Sequence, residues 1–390
     1  MIWRAAFQVI SACAWTLAVI AVVRPMRLGR KWTVILSAAL ALAFGKFAFF
    51  ALAGGHSFNP NLPQLVIRTC CVLYGTAMFL TALSFLALLS DGVMGLLGHP
   101  VKTVTVRFRT AAFVVCAASL AAWGMYEGVR LPSVSRLEIE YDALPAAFDG
   151  YRVVHMSDLH CSTAARRSRF EKIVKLVNDI DADLVAITGD FVDGLVPDRR
   201  DDLAPIAGLR ARDGVLACTG NHEAYWDWES WRDALLGFGL VFPEITGPVV
   251  IRRGEDAIAV GGMVDPALSG KIPVEFLCDA ADCFEGSPAN AFRILLCHRP
   301  STDMIASASE KANLRLELSG HTHGGGMPIL SSLVSLTNEG HVRGLYEFAP
   351  GRYLHVSPGS GQWAGFPMRF FNPCEITEIV LKKAKGRLKN

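Results

Sequence analysis

The sequence predicts two unlike parts, a transmembrane region of about four helices and then an α/β domain. Three observations carry this. Long apolar runs fill residues 5–23, 33–53, 69–89 and 110–126, each near the ~20 residues that an α-helix needs to cross a hydrocarbon core. Acidic side chains nearly vanish before residue 130, where only Asp91 and Glu127 occur. From Tyr151 onward, short β-branched runs alternate with stretches of helical periodicity, and polar turns follow the strands.

Connector charge sets the expected orientation of the front region. Arg24, Arg27, Arg30 and Lys31 lie between the first two runs, and Lys102, Arg107 and Arg109 between the last two, whereas 54–68 offers only Arg68. Both basic connectors are therefore expected in the cytoplasm. Four spans would then leave the rest of the chain on the extracytoplasmic side, as in a bacterial inner membrane protein whose catalytic domain faces outward. A removable leader over residues 1–23 is the weaker reading, because Arg24 follows the run without a small-residue cleavage site. Lys46 falls inside the second run, near enough to its outer end to snorkel. The formal net charge of +2 hides these unlike halves and gives no reason to expect a nucleic-acid partner.

Residues 128–149 read as a linker and a first strand, with Pro132, Ser133 and Ser135 followed by alternating Leu137, Ile139 and Tyr141. The domain proper is expected over 150–382 and a loose basic tail over 383–390. Val153 and Val154 begin the next strand, Phe170, Ile173, Val174 and Val177 repeat at helical spacing, and Leu184–Ile187 forms a buried strand. Val215–Cys218 and Arg293–Cys297 are further strands, and Trp228–Leu236 is a helix. Gly344–Phe348, Tyr353–Val356 and Glu375–Leu381 are strand-like.

Five short motifs stand where apolar runs break into polar turns: Asp158-Leu159-His160, Gly189-Asp190, Gly220-Asn221-His222-Glu223, Cys297-His298 and Gly320-His321-Thr322-His323. Strand ends let a sheet gather residues that are far apart in sequence. Carboxylate, imidazole and amide oxygen together suit two divalent cations such as manganese, iron, zinc or magnesium. Cations about 3.5–4 Å apart need a shared ligand. Asp190 is the best candidate, bridging with its two oxygens.

In this order the motifs resemble the calcineurin-like metallophosphoesterases, whose blocks read D-x-H, G-D, G-N-H-D/E, H and G-H-x-H. The resemblance covers about 150–382 and implies an αββα two-sheet sandwich. It also implies that Asp158, His160 and His323 hold a first metal, that Asn221, His298 and His321 hold a second, and that Asp190 bridges them. His222 would then face the scissile phosphate and protonate the leaving oxygen, paired with Asp193. The Gly-His-Thr-His-Gly-Gly run and the ending from Val356 to Pro373 look similar to a bacterial membrane-associated phosphodiesterase branch. Gly326 stands where that branch commonly has glutamine.

The expected function is a membrane-anchored, metal-dependent phosphoester hydrolase, a phosphodiesterase, with a lipid-linked phosphoester as a candidate substrate and the bilayer as its setting. Trp226, Trp228, Met368 and Arg369 are candidate substrate contacts at a cleft rim, because aromatic groups beside an arginine suit an interface of acyl chains and phosphates. The competing reading puts Phe366, Phe370 and Phe371 into the core beneath the last strand. A transporter or sensor with a regulatory phosphoesterase domain, a catalytically dead binding module, and a sugar-nucleotide-lipid pyrophosphate hydrolase under inverted topology are the alternatives. Nothing in the sequence sets the oligomeric state. Cys278 and Cys283 could form a disulfide or remain thiols, while Cys161, Cys218 and Cys297 read as buried strand-end residues. His155, His341 and His355 lie outside the motifs and read as structural histidines.

Overall fold

A computed structural model describes residues 2–272, 280–300 and 313–384. The chain forms two compact units, Met1–Glu127 with Ala364–Met368, and Gly128–Trp363 with Arg369–Asn390.

In the first unit α1 (Ile2–Ala18) runs on through a π-helical turn, Val19–Val23, and ends in a 3-10 turn at Arg24–Met26. Pro25 in that turn cannot continue the hydrogen-bond ladder. The expected span over 33–53 is broken: α2 (Arg30–Phe44) and α3 (Lys46–Gly54) meet at Gly45 with a 59° bend. The next two helices, α4 (Gln64–Leu96) and α5 (Thr103–Val129), outrun the apolar stretches that announce them. Among the described residues three helices are long and apolar enough to cross a membrane, or up to four if the bent pair is one span.

Lys46 corrects the snorkelling expectation. It is 2% exposed, its Nζ donates to Gly365 O at 2.7 Å, and it lies 4.2 and 4.6 Å from the ring centroids of Phe47 and Tyr74. Desolvation is offset by a carbonyl and two π faces instead of by water. Phe366 packs into the same aromatic cluster as Phe44, Phe47 and Tyr74. Met368 closes on Gly75, where any Cβ would collide with the methionine tip.

The second unit opens with β1 (Ser133–Tyr141), a strand over the alternating Leu137, Ile139 and Tyr141 that begins earlier, at Ser133. There follow β2 (Tyr151–Met156), α6 (Arg167–Asn178), β3 (Leu184–Thr188), α7 (Val196–Leu203) and β4 (Val215–Cys218). Three helices come next, α8 (Asn221–Tyr225), α9 (Trp228–Gly237) and α10 (Pro243–Thr246). Then come β5 (Val249–Arg253), β6 (Asp256–Gly262), β7 (Phe292–Leu296), β8 (Leu314–Ser319), α11 (Pro328–Thr337), β9 (Gly344–Ala349), β10 (Arg352–Val356) and β11 (Glu375–Lys383). The sequence reading lacked β5, β6 and β8.

Two sheets result, one ordered β1-β11-β2-β3-β4 and the other β5-β6-β7-β8-β10-β9. Alternation along each strand sorts the core into layers. Val153, Leu184, Ala186 and Leu216 of the first sheet meet Ile258, Val260, Ile294, Leu316 and Leu318 of the second. Their neighbours Val154, Met156, Val185 and Ile187 face outward, against Phe170, Ile173 and Val177 of α6. Parallel pairing of β2, β3 and β4, and of β6, β7 and β8, brings each set of C-terminal strand ends to one edge. All five motifs follow such ends, which is where open α/β sheets place ligands.

Candidate metal centre

The loops after β2 and β3 are zipped together by backbone bonds. Asp158 N donates to Gly189 O and His160 N to Asp190 O, both at 3.0 Å, and Asp193 N to Cys161 O at 2.8 Å. The loop after β8 closes on them, since His321 N donates to Asp158 Oδ2 at 3.0 Å. A side chain on Gly320 would strike Ser157 and Asp158, and one on Gly220 would strike Asp190. Asp158, His160, Asp190, His321 and His323 all have φ between 45° and 69°. That region is costly for non-glycine residues and is tolerated where surrounding contacts over-determine the backbone.

Among the described residues three groups of donor atoms emerge. Asp158, His160 and His323 form the first, Asp190, His298 and His321 the second, and the third, His160, Asp193 and His222, shares His160 with the first. His160 Nε2 and His323 Nε2 lie 3.1 Å apart, and His298 Nε2 and His321 Nδ1 3.2 Å apart. Two nitrogens each about 2.0–2.1 Å from one cation sit roughly 2.9–3.4 Å apart, so both pairs fit a shared ion. Asn221 Oδ1 joins the second group, 3.1 Å from His298 Nε2. Asp158 Oδ1 is buried without a hydrogen-bond partner, 3.5 Å from His323 Nε2 and 3.8 Å from His160 Nε2. An orphan carboxylate oxygen between imidazoles in a dry pocket suits a cation better than a vacancy.

Asp190 lies between the first two groups and faces them through one oxygen. Its Oδ2 is 3.7 Å from His160 Nε2 and 3.3 Å from His298 Nε2, while Oδ1 accepts the His222 backbone N–H at 2.8 Å. Oδ2 is thus the Asp190 oxygen that faces both groups, while Oδ1 is engaged by the His222 backbone. His222, 15% exposed at its side chain, stands outside these two groups, with Nδ1 2.5 Å from Asp193 Oδ1. Asp193 has a second task that the sequence did not suggest, since its Oδ2 lies 3.3 Å from His160 Nδ1.

Charge is tightly balanced here. Burial opposes charge on His298, but the adjacent Asp190 and Asp158 outweigh it and push the imidazole up to about 10. Burial, with His298 alongside, brings His321 down to about 4, and burial takes His323 down to about 3. Burial also works against ionised Asp158, Asp190 and Asp193, yet the surrounding histidines hold all three below the usual carboxylate range. Such a cluster exchanges its protons for cations readily.

Three features went unread in the sequence. Glu223 is fully buried and accepts backbone N–H groups from Asp190, Phe191 and Gly220 at 3.0, 2.7 and 2.8 Å, which ties the second and third motifs together. Arg299 follows His298 and is held by Asp265. Tyr225, three residues past His222, is exposed with its ring 5.3 Å from that histidine. Only the acidic residue closing the Asn-His motif gave a signal.

The expected substrate rim needs correcting. Trp228 is buried in the core beside α6 and β3, and Trp226 is half-buried against the same cluster. Met368 belongs to the helical unit. Arg369 is fully buried, donating to Gly361 O at 2.8 Å and to the carbonyls of His323 and Asn372 at 3.3 Å. These residues fill space and satisfy carbonyls, which large apolar groups and a five-donor guanidinium do well. Phe370 is buried and Phe371 exposed. His155 and His355 are buried and 2.8 Å apart at Nδ1, His341 is buried against Tyr346, and Cys161, Cys218 and Cys297 are buried as expected. The Cys278–Cys283 pairing involves a residue outside the described ones.

Carboxylates and imidazoles gathered for cations at the strand ends of a two-sheet α/β domain define a metallophosphoesterase. The chain belongs to the calcineurin-like phosphoesterase family, whose model matches residues 151–325. It is similar to a "Transmembrane protein with metallophosphoesterase domain" of Danio rerio, 31% identical over 91% of this chain and 81% of that one. The Bos taurus protein of the same name is 30% identical over 90% and 81%. An uncharacterized metallophosphoesterase of Helicobacter pylori is 28% identical over 81% and 82%.

Proposed function

We propose that this chain is a membrane-anchored, metal-dependent phosphoester hydrolase and that its substrate is a phosphodiester. The observation that carries the reading is Asp190 Oδ2, which faces an imidazole of the first and of the second donor group at 3.7 and 3.3 Å. Asp158, His160 and His323 would hold one divalent cation, and Asn221, His298 and His321 another, with Asp190 shared. Two such ions neutralise phosphoryl oxygens and bring the pKa of water toward neutrality.

His222 supplies the proton. Asp193 engages its Nδ1, so the transferable proton is the one on Nε2. Burial lowers the affinity of His222 for that proton, and the charges of Asp190 and Asp193 raise it to a net upward shift, as a general acid for an alkoxide leaving group requires. Asp193 also braces His160, so one carboxylate orients both the acid and a ligand. This reading sets a single protonated side chain, His222, at the phosphoryl, a small complement that suits a monoanionic diester better than a dianionic monoester.

The membrane reading places the catalytic domain outside the cytoplasm. Arg107 Nε and Nη2 donate to Met26 O and Arg27 O at 3.0 and 3.1 Å, so the two basic connectors share one end of the helical unit. The positive-inside rule assigns that end to the cytoplasm, and α5 leads away from it.

The test is turnover of 4-nitrophenyl phosphate and bis(4-nitrophenyl) phosphate by the full chain with manganese, zinc, iron or magnesium. Metal-dependent hydrolysis favouring the diester is expected. Inactivity with every metal would sink the hydrolase reading, and a faster monoester would sink the diester preference.

A further inference from the structure

We infer that Arg299 grips a second anionic group of the substrate, a carboxylate or phosphate carried on a substituent of the scissile phosphoryl. The inference rests on the phosphoester reading and adds a substrate class to it.

Arg299 directly follows His298. Its Nε and Nη2 donate to Asp265 Oδ2 and Oδ1 at 2.7 and 3.0 Å. Asp265 is itself fixed. Its side chain is fully buried, its Oδ1 accepts from Ala267 N at 2.8 Å, and its own N–H donates to Thr219 Oγ1 at 3.0 Å. A bidentate pair with an immobile carboxylate gives the guanidinium one orientation, so little entropy is lost when it binds a ligand. Two of its donors remain at Nη1, and no described residue takes them. The side chain is 36% exposed.

Location separates this arginine from Arg369. Arg369 is closed off by three carbonyls, whereas Arg299 lies within electrostatic range of His321, Asp190 and the Tyr225 hydroxyl. On the phosphoester reading the reacting phosphoryl would be served by the two cations and His222. His298 is buried, whereas the side chain of Arg299, the next residue, is 36% exposed, so its open edge is assigned to a substituent and not to phosphorus. Tyr225, 61% exposed and with its ring 5.3 Å from that of His222, offers an aromatic face for the part of the substrate that joins the two charges.

The test uses three stable phosphonates and the full chain with manganese, read by titration calorimetry: phenylphosphonate, 4-carboxyphenylphosphonate and 1,4-phenylenediphosphonate. The wild-type protein should bind the two compounds that carry a second anionic group more tightly, and the larger gain names carboxylate or phosphate as the natural group. Arg299→Gln should remove that gain, roughly tenfold to a hundredfold for a lost charged hydrogen bond, and leave phenylphosphonate binding and metal content unchanged. Arg299→Lys should keep part of it. Equal weakening for all three compounds would overturn the inference, because Arg299 would then serve the reacting group or the fold. A gain that survives in Arg299→Gln, or no gain in the wild type, would overturn it as well. Turnover of 4-nitrophenyl phenyl phosphate is followed in parallel. If that ester resists every metal while the phosphonate discrimination stands, the hydrolase reading falls and the anion grip survives.

Discussion

Asp193 holds His222 by a 2.5 Å contact from Oδ1 to Nδ1, and its other oxygen lies 3.3 Å from His160. One carboxylate therefore orients His222, the proposed proton donor, and lies against the ring of His160 in the neighbouring group. Losing it should disturb both tasks, and the two can be told apart.

His222→Ala should keep its metals and slow hydrolysis of alkyl diesters by about 10²–10⁴-fold, the usual worth of a general acid. Nitrophenyl esters, whose leaving group needs no proton, should suffer less. Equal losses on both would mean that His222 binds phosphate instead. In Asp193→Asn the imidazole loses a charge that raises its pKa. A general acid works only while protonated, so the alkaline limb of the rate profile should move to lower pH.

Asp190→Asn should lower metal content as well as turnover, because the atom facing the first and second donor groups becomes a poorer ligand. Elemental analysis of the purified variant decides the matter. Two bound metals with ordinary activity would disprove a shared role for Asp190.

His155 and His355 bring a pH dependence to stability. Burial, with His355 alongside, holds His155 well below the usual imidazole range, and burial brings His355 down to about 4. The unfolded chain, with histidines near 6.5, binds more protons than the folded one between these values. The contribution is present above about pH 6.5 and is lost as pH falls toward 4, by up to about 3 kcal/mol for one such group. Melting of the metal-free full chain from pH 7 to pH 4 should show this decline, and His355→Gln should flatten it. Parallel curves for the two proteins would remove the pair from the account.

Topology turns on the bent pair α2 and α3. If it counts as a crossing, the N-terminus and the catalytic domain share the extracytoplasmic side. A reporter that works only outside the cytoplasm should then be active when fused at either end in a bacterial host. Activity at one end alone would mean three crossings, with the bent pair entering and leaving by the same face.

Much of the site was legible because its parts are local. Asp158, Asp190, Asn221 and His298 each stand just past a short apolar strand that is visible in the sequence, and an apolar run followed by glycine or a polar turn marks such places without any knowledge of the fold, while His321 is marked by its own glycine-histidine motif. Strands β5 and β8 were harder to see. The first is short and half-buried, with arginines on the strand, and the second carries Arg315 and Glu317 among its leucines.

The sequence by itself determined the apolar helices, the order of the five motifs and the chemical kinds of donor they bring, since hydropathy, period and residue type are properties of short windows. Tertiary structure alone decided what each long polar or aromatic side chain does. Lys46 turns inward because a carbonyl 319 residues away and two rings replace its water, and Arg369 is enclosed while Arg299 stays open because the distant His323 carbonyl joins those of Gly361 and Asn372 around one, and a single buried carboxylate, Asp265, orients the other. Burial of a charge depends on partners that converge from far along the chain. No local window of sequence contains them.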